Sequence, residues 1–146
     1  AAGRRSYAVD SLGADLHQLA IDLGLDVLLI DTEPGLPPSA LTCLAAAQTA
    51  LLVLALDKQQ YQAAAATVAV VDRLPVSRRR LAVNLASPSL DYDNIHAQVT
   101  QGFGWEVSAI VPYCDELLAL GSASLFVMRY PDHPVTAIYR RLALDL

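Results

Sequence analysis

The chain has 146 residues, 54% of them apolar and 17% charged, which is one domain's worth of a well-buried globular protein and excludes a disordered segment. A formal charge of -5 and a pI near 4.9 give no general attraction for nucleic acid or anionic lipid. The two cysteines, Cys43 and Cys114, stand far apart with no Cys-x-x-Cys and no histidine at zinc-ligand spacing, so neither a disulfide framework nor a metal site is indicated.

His17, His96 and His133 are likewise scattered and read as surface or half-buried residues. No run approaches the roughly 18 apolar residues that span a bilayer, and the opening Ala1-Ala2-Gly3-Arg4-Arg5-Ser6 has no apolar core behind its arginines, unlike a signal peptide. The expectation is a soluble, cytoplasmic protein without a transmembrane segment.

The elements alternate between helix and strand. Leu16, Leu19, Ala20 and Leu23 recur at helical spacing, with Asp10 or Ser11 as N-cap and Gly24 as stop. Residues 26–31 form an apolar run suited to a strand buried on both faces, ending on Asp31 and breaking into a Pro-Gly turn. Pro37-Pro38 starts a second helix with Leu41, Leu44 and Ala45 on its apolar face, and residues 50–56 make a second buried strand. A helix follows over residues 61–74, where the alanines 63–66 favour helix, Val68, Val71 and Leu74 face the sheet, and Pro75 closes the element.

Arg78-Arg79-Arg80 is the one basic run and reads as a solvated loop. Residues 81–85 are the third strand, Ile95 and Val99 mark a helix ending near Gly102, and residues 107–111 are a fourth strand stopped by Pro112. Leu117, Leu118 and Leu120 lie on a short helix, and residues 125–128 are a weaker fifth strand or extended segment. A last helix opens at Asp132 and Pro134 and carries Val135, Ile138, Tyr139 and Leu142. Its stripe of Ile138, Leu142 and Leu146 reads as packed on the sheet rather than on a membrane. The sum is a single α/β domain over 1–146, a mostly parallel sheet with helices on both faces.

In such a sheet the carboxyl ends of the strands carry the chemistry. They offer Asp31, Thr32 and Glu33 from the first strand, Asp57 and Lys58 from the second, Asn84 from the third, and Pro112, Tyr113, Cys114 and Asp115 from the fourth. A carboxylate at a dry strand end can hold a Mg²⁺-bound water, and Gly35 lets the backbone approach a terminal phosphate. The Asn84 amide, both donor and acceptor, suits the edge of a purine, while a bond to its own turn is the plain alternative.

The run Asp26-Val27-Leu28-Leu29-Ile30-Asp31-Thr32-Glu33-Pro34-Gly35-Leu36 resembles the Walker B and switch II segment of the ParA/MinD group of deviant Walker A ATPases, usually an apolar run followed by D-T-P-P-G. Residues 51–57 resemble that family's next core strand, residues 81–84 the strand ending in its adenine-contacting Asn, and Ile110-Val111-Pro112-Tyr113 its I-P-Y-D strand and adenine loop. Tyr130-Pro131-Asp132-His133-Pro134-Val135, with Ala137 and Tyr139-Arg140-Arg141-Leu142-Ala143 after it, is similar to the family's last helix. The likeness covers roughly residues 14–144, and the shared order of short motifs carries it.

The resemblance implies a P-loop NTPase-like fold, incomplete at its N-terminal side, that binds ATP and Mg²⁺. Asp31 would hold a Mg²⁺-bound water, Gly35 would sense the γ-phosphate, Asn84 and Pro112 would frame adenine, and Tyr113 would pack on the base. It further implies a homodimer formed with ATP that positions a protein partner or cargo. Two alternatives share the fold: a non-hydrolysing interaction or scaffold module, and an ATP-dependent amidoligase or dethiobiotin-synthetase-like enzyme.

Two departures stand out. There is no Gly-rich loop ending in Gly-Lys-Ser/Thr, so the N–H cradle and lysine for the β- and γ-phosphates are missing and the chain as it stands is expected to be inactive. The family's P-loop strand lies beside the Walker B strand, so a gap is expected in the sheet, from a chain that is part of a longer protein, a sheet closed otherwise, or edges paired with a second copy. Glu33 stands where the family has Pro, adding negative charge beside the metal and phosphate.

Overall fold

The computed structural model describes residues 9–121 and 123–146, with side chains described from Leu12 onward; the opening residues 1–6 thus lie outside the described residues. Helices α1 (Val9–Asp22) and α2 (Pro38–Ala46) come first, then β1 (Thr49–Leu54), α3 (Lys58–Val71), β2 (Arg78–Ala86), α4 (Tyr92–Phe103), β3 (Glu106–Pro112), α5 (Asp115–Leu120), α6 (Phe126–Arg129) and α7 (Pro134–Asp145). The three strands form one parallel sheet in the order β1-β2-β3. This is the α/β architecture expected from the alternation of elements, and it is partial.

By contacts the chain falls into two units, one of Ala1–Ala50 with Thr67–Arg78 and one of Leu51–Ala66 with Arg79–Leu146. In the first, α1 packs on α2, with Gly13 facing Ala46. Asp10 and Ser11, expected to cap α1, lie inside it, since Leu12 extends the apolar row one turn earlier than Leu16.

The second unit holds most of the sheet. Leu81, Ala82 and Val83 are at most 3% exposed, the burial of a central strand covered on both faces. In β3 Val107, Ala109 and Val111 are buried and the residues between them are less so, the period of two of a strand with one face inward. Ala82, Ala109 and Val111 join Phe126 and Val135 in a core against which Leu117, Tyr130, Ile138, Tyr139 and Leu142 pack. The stripe on α7 is therefore sheet-facing at Ile138 and Leu142, as its helical spacing suggested.

Three expectations about elements are corrected. Residues 26–30 form no strand, since none of them enters a ladder among the described residues. Val27, Leu28, Leu29 and Ile30 are 77%, 37%, 82% and 37% exposed, an alternation that keeps the period of an extended chain without a sheet to bury it. A strand needs a neighbour for its backbone groups, and the strand that the resemblance would place there is not among these residues.

Residues 126–129 are helical, a single turn closed by the Tyr130 N–H donating to the Phe126 carbonyl at 2.8 Å, with the rings of Phe126 and the C-cap Tyr130 tilted together at 5.0 Å. The arginine run opens β2 instead of a loop: Arg80 stands opposite Glu106 in the ladder and pairs with Glu106 at 3.0 Å and Asp145 at 3.4 Å. The helix expected to end near Gly102 does so: α4 closes at Phe103, and Gly104, with φ 72°, supplies the left-handed cap.

Candidate functional site

Parallel pairing brings the carboxyl ends of β2 and β3 side by side. Ala86 is in register with Pro112, the Tyr113 N–H donates to the Ala86 carbonyl at 2.8 Å, and the ladder shifts between Val83 and Ala86. Asn84 sits in that irregular stretch, half-buried, and Leu85 beside it has φ 55°. A left-handed leucine costs on the order of 1–3 kcal/mol, and such strain gathers where a chain must present a group rather than continue a ladder. Asn84, Pro112 and Tyr113 therefore share one rim of the sheet.

Tyr113 is 44% exposed. A hydrogen bond from its phenol to the Asp115 carboxylate, and the charge of that carboxylate, hold its pKa above the ordinary 10.0. The rim thus offers an amide, a half-buried proline ring and an exposed aromatic ring with an acid two residues on. A planar heterocycle with donor and acceptor edges fits that chemistry.

Asp31 and Gly35 belong to the first unit. Both are exposed, and Gly35 has φ 89° with nothing within 4 Å of where a β-carbon would stand, so the turn requires glycine for its backbone and not for space. The dry strand end expected for Asp31 is not found, because the run leading to it is exposed. Glu33 accepts a hydrogen bond from the Ser39 hydroxyl at 2.7 Å, which ties the acidic residue to the first turn of α2.

Sequence spacing missed one constellation. Cys114, Glu116 and His133 each present a ligand atom, all within 4.8 Å of one another. Cys114 is the N-cap of α5 and makes no side-chain cap bond. His133, not the expected Asp132, is the N-cap of α7, its Nδ1 accepting from the Val135 N–H at 3.1 Å. Nothing local could have signalled the group, because the fold alone brings the start of α5 to the start of α7.

No protein-family model and no curated protein sequence matches the chain. Among solved structures it is similar to the MinD cell division protein of Aquifex aeolicus, with a TM-score of 0.76 and 12% identity over 94% of this chain and 60% of that one. The MinC:MinD cell division protein complex of the same organism gives a TM-score of 0.76 and 12% identity, over 94% of this chain and 58% of that one. The chain thus has a MinD-like P-loop NTPase fold in part, and spans about 60% of the length of these neighbours. Among the described residues no helix is long and apolar enough to cross a membrane.

Proposed function

We propose that this chain carries the switch II and adenine-binding segments of a ParA/MinD-like ATPase, used for ATP-dependent dimerisation and the positioning of a protein partner or cargo. The observation that carries the reading is the shared rim of Asn84, Pro112 and Tyr113 at the ends of adjacent parallel strands in a fold similar to MinD. In this reading the Asn84 amide reads the purine edge, and Pro112 and Tyr113 pack on its faces. Asp31 orients a Mg²⁺-bound water and Gly35 meets the γ-phosphate.

The adenine end fits the residues present. The phosphate end needs a Gly-rich loop with its N–H cradle and lysine, a motif that these 146 residues do not contain, so hydrolysis requires a phosphate-binding loop supplied from outside them. A protein partner agrees with the neighbour solved as a MinC:MinD complex.

An ATP titration of the 146-residue chain, and of the longest natural polypeptide that carries it, tests the proposal. The chain alone should bind no tighter than about millimolar, and the longer polypeptide in the micromolar range that a full set of phosphate contacts supports. Asp31→Ala in the longer polypeptide should abolish Mg²⁺-dependent hydrolysis, and Asn84→Ala should weaken ATP binding about tenfold, the loss of one buried hydrogen-bonded contact. Micromolar binding by the chain alone, or none by the longer polypeptide, overturns it.

The second result would favour a non-hydrolysing interaction module of the same fold. The observation on its side is the row of exposed apolar residues from Leu25 to Ile30, a surface of the kind that marks a docking site.

A further inference from the structure

We propose that Cys114, Glu116 and His133 bind a zinc-type divalent cation, an inference that does not rest on the nucleotide reading although Cys114 directly follows Tyr113 in the chain. Their ligand atoms lie within 4.8 Å of one another, and a tetrahedral ion with bonds of 2.0–2.3 Å holds its ligands about 3.5 Å apart. A contraction of about an ångström closes the set, and the exposed Glu116 on the first turn of α5 is free to supply it.

The other two ligands are already held. The His133 ring packs edge-on against Phe126 at 5.2 Å and meets Tyr130 at 6.4 Å, with Phe126 buried in the core. Cys114 has extended backbone at the end of the β3 loop, and its sulfur is not engaged in capping α5.

The donor set selects the metal. One thiolate, one imidazole and one carboxylate suit zinc or cobalt, whereas magnesium and calcium require oxygen ligands that this group does not offer in number. Three protein ligands leave a fourth position for water.

Binding releases the Cys114 proton to solvent. It also competes with the cap of α7, since the Val135 N–H donates to Nδ1 at 3.1 Å. If the metal takes Nδ1, that bond is displaced. If it takes Nε2, the ring's proton moves to Nδ1, which then can no longer accept. Either way the Val135 cap is given up, which couples the ion to the start of α7.

The test is a titration of the whole chain with Zn²⁺ and with Co²⁺, followed by calorimetry, absorption and ¹⁵N NMR. The expected result is one equivalent bound, a thiolate-to-cobalt charge-transfer band, no displacement by excess Mg²⁺, and a moved Val135 amide resonance. Cys114→Ser, a residue well suited to an N-cap and so expected to keep the native circular dichroism spectrum, should abolish the band and weaken binding by about 100-fold. Glu116→Gln, at an exposed position, should weaken it about tenfold. Cys43→Ser should change neither. No stoichiometric binding, a band that survives in Cys114→Ser or is lost in Cys43→Ser, unchanged affinity in Glu116→Gln, or an unmoved Val135 resonance would each overturn the assignment.

Discussion

Tyr113 shows how a single side chain is set up by its neighbours. Its phenol donates to Asp115, and that bond and charge raise its pKa, so the proton stays on to higher pH than in a free tyrosine. Asp115→Asn removes the charge, and the Tyr113 tyrosinate absorbance should then appear at lower pH, back toward 10.0; an unmoved titration would show that Asp115 does not hold the ring. The sequence marked Tyr113 as a strand-end residue but could not show the bond to Asp115. Asn84 is a similar case: its position at the end of a strand was legible, whereas the shifted ladder and the left-handed Leu85 arise only when β2 meets β3. Cys114 and His133 were read as unrelated, and the fold makes them neighbours.

At the level of elements, two apolar runs that look alike in sequence have opposite fates. Residues 50–54 lie in β1, where Leu54 is 2% exposed, while Leu29 in the run before Asp31 is 82% exposed. Urea denaturation should therefore give a loss of about 2–5 kcal/mol for Leu54→Ala and less than about 0.5 kcal/mol for Leu29→Ala. An equal loss for both would mean that residues 26–30 are buried in solution. Apolar periodicity reports that a segment can be a strand, but pairing decides whether it is one. The arginines of β2 make the converse point, because charge suggested a loop and cross-strand partners, Glu106 for Arg80 above all, made a strand start. Pro134 sits in the first turn of α7 as its fixed φ favours, although its neighbour His133 displaced Asp132 as the cap.

For the molecule, the second unit is organised around Phe126, which the sequence placed in a weak strand and the structure places on a helix between β3 and α7 as part of the core. Phe126→Ala should cost about 3–5 kcal/mol by thermal or urea unfolding and should loosen His133, whose ring rests on it; a loss below about 1 kcal/mol would deny it that central role. By itself the sequence determined the alternation of elements, a mostly parallel sheet with strands read at residues 50–56, 81–85 and 107–111, the apolar face of α7 and the strand ends carrying Asn84, Pro112 and Tyr113, because hydrophobic period, turn chemistry and chain order are local properties. Only the tertiary structure decided that residues 26–30 stay outside the sheet, that residues 126–129 coil into a helix, and that a thiol, a carboxylate and an imidazole meet. Each of these depends on which backbone or side chain arrives alongside, and that is a matter of packing between segments distant in the chain.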